Sequence, residues 1–260
     1  MKANLEFRIL GPLAVTAEDG AIGLPRPLER AVLAFLVVNV GQIVPTDRLV
    51  DELWPGSPPE SARHSLHVHI SRLRSALGDD VLMTRSPGYL LTADEEQIDA
   101  RRFEVWVRDG RRALRDTEPE EAVRLFRQAL ALRRGSPLPE LAGLPYGRIE
   151  ISHLEELRFG ALEGLYEAEL ALGHHAEVVE GLTGLAEECP FRERLWGHLM
   201  VALYRSGRQA DALHAFQDLK RLLRAELGIS PGPELQHLEE AIILQKPELG
   251  WGEHLREARI

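Results

Sequence analysis

The sequence predicts a mainly α chain with a small β component, organised in two parts. Three observations carry this. Short apolar runs broken by Gly-Pro, Asp-Gly and Pro-Gly pairs open the chain, as in a small sheet with tight turns. Amphipathic stretches of helical length follow them. Farther on, Gly173 and Gly207, Ala176 and Ala210, and Val178 and Ala212 recur at 34 residues, the period of stacked helix pairs.

Taken in order, Leu5–Leu10, Leu13–Ala17 and Ala21–Leu24 read as three short strands, with turns at Gly11-Pro12 and Asp19-Gly20. Pro27 suits the first turn of a helix, and the nearly all-apolar LERAVLAFLVVNV that follows reads as a buried helix ending at Gly41. Thr46 is the expected N-cap of DRLVDELW. Pro55-Gly56-Ser57-Pro58-Pro59 then forbids helix until Glu60. From Ser61 to Leu77 the apolar Ala62, Leu66, Ile70, Leu73 and Leu77 form one narrow helical stripe. VLMTR and YLLT flank Ser86-Pro87-Gly88 as a hairpin with Arg85 near its tip. Three helices followed by a hairpin make the plan of a winged helix-turn-helix, expected over residues 1–93.

Beyond it, residues 98–249 read as an all-α, tetratricopeptide-like domain. PEEAVRLFRQALAL repeats the second-helix pattern, with Ala122 and Phe126 matching Ala212 and Phe216, while a loop-like insert at Gly135–Gly147 breaks the period. Stacked helix pairs of this kind bind proteins or peptides on their exposed face. Residues 250–260 read as a tail.

Charge singles out the third helix. The chain carries a net charge of −10, yet Ser61–Leu77 contains Arg63, Arg72, Arg74 and three histidines, and no acidic residue. Residues 1–92 hold 9 Lys and Arg against 10 Asp and Glu, whereas residues 93–260 hold 22 against 31, so the acidity lies in the second part. A nucleic-acid partner would therefore meet a focused patch with a modest salt dependence. Opposite the apolar stripe lie His64, Val68, Ser71, Arg72 and Ser75, with Arg63, Ser65, His67 and Arg74 at the margins.

DRLVDELWPGSPPESARHSLHVHISRLRSALG and the wing TRSPGYLL together resemble the winged-helix output domain of response regulators, and more closely that of the Streptomyces antibiotic regulatory protein family of transcriptional activators. ELRFGALEGLYEAELALG, FRERLWGHLMVALYRSGRQADALHAFQDLKRLL and ELGISPGPEL resemble the bacterial transcriptional activator domain that follows the winged helix in that family. The resemblance extends to about Leu249.

The resemblance implies sequence-specific binding of double-stranded promoter DNA at direct repeats, as a homodimer, with RNA polymerase and its sigma factor as partner and secondary-metabolite genes as targets. Carried over to matching positions, Arg72 would meet a guanine edge and Val68 a thymine methyl. His64 and Ser65 would act at the N-terminal end of the helix, and Ser71 on its reading face. His69 and Arg74 would contact phosphates, Trp54 would offer its indole N–H to a phosphate, and Arg85 on the wing would reach a minor groove. Pro55, Gly56, Ser57 and Pro58 would form part of a polymerase-facing turn. His67 departs from the family, which commonly has glutamine there, and leaves that contact open.

Other chemistries lack support. His64, His67 and His69 have no Cys or acidic companion in their helix and do not read as a metal site. Phosphate-loop, dinucleotide, zincin and nucleophile-elbow motifs are absent, so neither an enzyme nor a cofactor is expected. The N-terminus lacks a signal-peptide core, no apolar run is long enough to span a membrane, and Cys189 has no second cysteine to pair with. A cytoplasmic, nucleoid-associated protein is expected. The rival reading is a protein-interaction scaffold in which the winged helix no longer reads DNA.

Overall fold

The computed structural model describes residues 5–249. The tail expected at 250–260 lies outside the described residues. The described residues are mainly helical with a small β component, as the patterning predicts, and form two three-stranded sheets where the sequence predicts one such sheet and a hairpin.

β1 (Glu6–Arg8), β2 (Ala14–Ala17) and β3 (Gly20–Ile22) form an antiparallel meander. Phe7 faces Val15, and Val15 faces Ile22. α1 (Pro27–Val38) begins at its proline, and Ala31 through Val37 are all buried. A helix apolar on every side belongs inside, and this one is the axis of the N-terminal part.

A strand the sequence does not announce, β4 (Ile43–Pro45), precedes α2 (Thr46–Leu53). Thr46 is consequently the first helical residue rather than the N-cap. Its hydroxyl donates to the Pro87 carbonyl at 3.2 Å instead of closing the helix end. The proline turn then leads to α3 (Ala62–Leu77), whose stripe of Ala62, Leu66, Ile70, Leu73 and Leu77 is at most 4% exposed. β5 (Leu82–Arg85) and β6 (Gly88–Leu91) make the hairpin, and β4 adds to it in the order β4-β6-β5. Gly88 lets this third strand approach: a Cβ there would lie 2.6 Å from the Val44 carbonyl carbon and 2.7 Å from Pro45 Cα.

The helical part comprises α4 (Asp99–Arg115), α5 (Pro119–Ala131), α6 (Pro145–Ala171), α7 (Val179–Glu188), α8 (Glu193–Arg205), α9 (Gln209–Glu226) and α10 (Pro233–Ile243). The insert at Gly135–Gly147 holds a 3-10 turn, Pro139–Leu141, and the start of α6. The chain divides into two compact units: residues up to 109 with 127–161, and 110–126 with the residues from 162 onward.

In the first unit, side chains far along the sequence satisfy the backbone of the connection between β1 and β2. Ile9 and Leu10 donate their N–H groups to the two Asp99 carboxylate oxygens at 2.8 and 3.0 Å. Asp99 is fully buried, and burial raises its pKa despite these hydrogen bonds. Leu13 donates to Glu140 at 2.9 Å, as does Arg30 Nε at 3.1 Å. Arg134 donates to the carbonyls of Arg8 and Pro12 at 3.1 and 2.9 Å. Tyr146 stacks tilted on Phe35 at 4.7 Å, with the Arg48 guanidinium 5.2 Å from the tyrosine ring centre and 5.5 Å from the phenylalanine's. The Ile9 and Leu10 N–H groups, which are buried, would otherwise lose water without gaining a partner, a cost of about 1–3 kcal/mol apiece.

In the second unit the 34-residue period is visible. α6 ends at Ala171 and α8 at Arg205, and the glycines that follow, Gly173 and Gly207, have φ of 87° and 78°. This left-handed turn carries little penalty for glycine. The repeat is imperfect after it: α9 starts at Gln209, but α7 starts only at Val179, because residues 175–178 form turns. Ala122, Phe126, Ala212 and Phe216 are each at most 1% exposed. Phe126 fills space that two glycines leave open, since a Cβ on Gly110 or Gly164 would come within 3.0 Å of its ring. Between α8 and α10, Val201, Leu235 and Leu238 line a cavity of about 500 Å³ with His198 at its wall. Burial, with the charge of Arg194, lowers the His198 pKa to about 4.

Candidate nucleic-acid interface

α3 is held from behind by α1 and α2 and from the side by the wing, so one face is left outward. His64, His67, Ser71, Arg72 and Ser75 are exposed there, and Ser65 and Val68 are half-buried between them. No acidic side chain lies in the first turn of α3. The Ala62 N–H at this end donates to the Pro59 carbonyl at 2.8 Å, and no acid opposes the positive end of the helix dipole within that turn. Arg63, at this end, pairs with Asp47 of α2.

Two expected phosphate contacts are placed otherwise. His69, read at the outer margin, is 9% exposed and turns inward, its Nδ1 3.5 Å from Glu29 Oε1. Arg74 lies along the wing, where its Nε donates to the Leu82 carbonyl at 2.8 Å and Nη2 donates to the Thr84 hydroxyl. Its guanidinium also stands 5.8 Å from the centre of the Tyr89 ring. Burial raises the Tyr89 pKa, partly offset by the charge of Arg74. Arg74 therefore fastens α3 to the hairpin through two of its five N–H donors.

Arg85 stands exposed at the end of β5, one residue before the Ser86-Pro87 turn. Trp54 is half-buried at the C-terminal end of α2, and Pro55, Gly56, Ser57 and Pro58 are all exposed. His67 meets the Tyr89 ring edge-on at 6.3 Å between centroids. The three α3 histidines thus face different surroundings, and among the described residues no group of His, Cys, Asp and Glu is arranged to hold a metal ion. No helix among the described residues is long and apolar enough to cross a membrane.

Glu29 is a site residue the sequence does not single out. Its signal is a lone carboxylate on a helix whose other buried positions are all apolar. Its side chain is 4% exposed, and its Oε1 lies 3.1 Å from Arg26 Nη1, 3.5 Å from His69 Nδ1 and 3.4 Å from Arg72 Nη1. Burial works to raise its pKa, but hydrogen bonds from Arg26 and Arg72 and the close approach of the His69 ring, with the Arg26 charge, outweigh it and hold the carboxyl below its ordinary value. Arg72 keeps 46% of its side chain exposed while one nitrogen faces this carboxylate.

A three-helix winged unit with an outward, acid-free helix, joined to a tetratricopeptide-like array, defines a class of transcription regulators. Residues 24–94 match the family model described as transcriptional regulatory protein, C terminal, and residues 98–243 match that of the bacterial transcriptional activator domain. The chain belongs to the Streptomyces antibiotic regulatory protein family of transcriptional activators. It is 38% identical over 255 residues to the regulatory protein DnrI of Streptomyces peucetius, covering 94% of this chain and 93% of that one. It is 36% identical to the regulatory protein AfsR of Streptomyces griseus, over 94% of this chain but 25% of the relative. Against the transcriptional regulatory protein EmbR of Mycobacterium tuberculosis, identity is 37% over 95% of this chain and 65% of the relative. The solved structure of Mycobacterium tuberculosis EmbR in complex with a low affinity phosphopeptide superposes with a TM-score of 0.90 at 36% identity, covering 94% of this chain and 66% of that one. The chain thus spans nearly all of DnrI, about two-thirds of EmbR and a quarter of AfsR.

Proposed function

We propose that the chain is a sequence-specific DNA-binding activator that reads promoter direct repeats through α3 and recruits RNA polymerase with its sigma factor. The observation that carries this reading is the outward face of α3, which offers His64, Ser65, Val68, Ser71 and Arg72 in a row with no carboxylate among them. In the major groove Arg72 contacts a guanine edge, Val68 a thymine methyl, and His64 and Ser65 the base or phosphate at the helix end. Arg85 adds a wing contact, and Trp54 offers its indole to a phosphate. His69 and Arg74 are the weaker phosphate contacts of the set, since His69 Nδ1 faces Glu29 and two of the five Arg74 donors face the wing.

Two copies bind side by side on half-sites about one helical turn apart, roughly 34–36 Å. The exposed turn at Pro55, Gly56, Ser57 and Pro58 forms part of the polymerase-facing surface. The targets are secondary-metabolite genes, and the protein works in the cytoplasm at the nucleoid. Similarity to DnrI and AfsR supports the regulatory role.

The test is binding of a duplex selected by the full chain from a randomised pool, compared with the Arg72→Ala protein. A bidentate guanine contact predicts a loss of about 1–3 kcal/mol and relaxed preference at one position. A change below about 1 kcal/mol removes Arg72 from the readout. Failure of the full chain to retard any selected duplex at moderate salt favours the scaffold reading instead.

A further inference from the structure

Arg72 is a long side chain on an exposed face, and an unrestrained arginine pays for each specific contact with lost rotamer freedom. Here it is not unrestrained. Its Nη1 lies 3.4 Å from Glu29 Oε1, and that carboxylate is buried in α1, a different helix. Arg26 at 3.1 Å and His69 at 3.5 Å approach the same oxygen, so the carboxylate is itself held in place before it meets Arg72. The guanidinium has five N–H donors in a rigid fork, so one nitrogen can be spent on Glu29 while others remain for a base.

We propose that Glu29 is a positioning residue for DNA readout: by tethering Arg72 from the protein interior, it sets the sequence selectivity of α3 without touching DNA. This rests on the reading of Arg72 as a base contact. The arrangement has a second consequence. A carboxylate beside Arg72 compensates part of its charge, so the arginine is less available to phosphates at arbitrary sequence. Glu29 therefore favours discrimination over general affinity, and its loss shifts that balance.

The experiment uses the full chain, a duplex it selects from a randomised pool, and a scrambled duplex of equal length. Glu29→Gln is expected to reduce the ratio of selected to scrambled affinity by about tenfold, the scale at which one bidentate arginine discriminates between bases. Affinity for the scrambled duplex stays the same or rises, a result that loss of folded protein does not produce. Glu29→Asp keeps the charge but withdraws the carboxylate by one methylene. It is expected to lower the ratio less, with scrambled affinity unchanged, and it decides the matter if thermal denaturation shows Glu29→Gln to be unfolded.

Adding Glu29→Gln to Arg72→Ala should change the ratio no further. The inference is overturned if Arg72→Ala collapses the ratio while both Glu29 variants keep it within twofold, or if they weaken both duplexes equally. An unchanged ratio in Arg72→Ala overturns the base-contact reading itself, and the positioning role with it.

Discussion

At the residue scale, His198 shows how a buried titratable group ties stability to pH. Its pKa falls from about 6.5 to about 4 in the folded chain, because burial and Arg194 both oppose the charged ring. The unfolded chain therefore binds the proton first as pH falls. The contribution to stability is complete above pH 6.5 and is lost progressively as pH falls towards 4. Between pH 7.5 and 5 this amounts to about 2 kcal/mol. Denaturant titrations of the natural chain and His198→Leu should differ by that amount between the two pH values; a pH-independent difference would mean that the ring is freely solvated.

At the scale of elements, the wing depends on a close approach rather than on its turn. Gly88→Ala would drive a methyl into the backbone of β4, where neither Val44 nor Pro45 has a flexible end to yield. Overpacking of this sort costs about 1–3 kcal/mol. The denaturation midpoint of this variant should fall accordingly, and Arg85 should lose its place on DNA as β6 separates from β4. Full stability in Gly88→Ala would show that the two strands tolerate a wider spacing.

The elements also show what the sequence makes legible. Periodicity alone places the buried stripe of α3, because five apolar positions at helical spacing admit one inward face. It cannot reach β4, three residues long and ending in proline, whose strand character comes from pairing with β6 at a sequence separation of 43 residues or more. Nor does it reach the margins of α3. At about 100° per residue Arg74 falls at the edge of the outward face, where the neighbour decides whether it is wet, whereas His69 falls about 20° from Ala62, on the flank of the buried stripe. Glu29 of α1 draws His69 inward, and the Leu82 carbonyl with Thr84 draws Arg74 onto the wing. Glu29 is visible in the sequence only as an anomaly, and its three partners appear only when the helices meet.

For the molecule as a whole, a net charge of −10 limits how DNA can be found. Arg72 and Arg85 are the cations on the proposed face that extend outward, and Arg63 beside them is already paired with Asp47. With at most two such cations brought to the duplex per chain, the logarithm of affinity should fall against the logarithm of salt with a slope no steeper than about −2 per bound chain. Titration of scrambled and selected duplexes from low to moderate salt measures it. A slope steeper than about −5 per chain would mean that the contact surface is far larger than α3 and the wing.

The hydrogen bonds that finish the first strands also order events during synthesis. The N–H of Leu13 meets its acceptor on Glu140, 127 residues later, and Ile9 meets Asp99 after 90. Contacts so distant in sequence are slow to close. A ribosome adds roughly 5–20 residues each second, so the earliest strands wait several seconds for these side chains even to exist. The winged unit therefore cannot finish folding until the acidic half is well under way, and a nascent chain stopped before Asp99 would emerge with its first sheet able to pair but the backbone of the β1–β2 connection still unanswered.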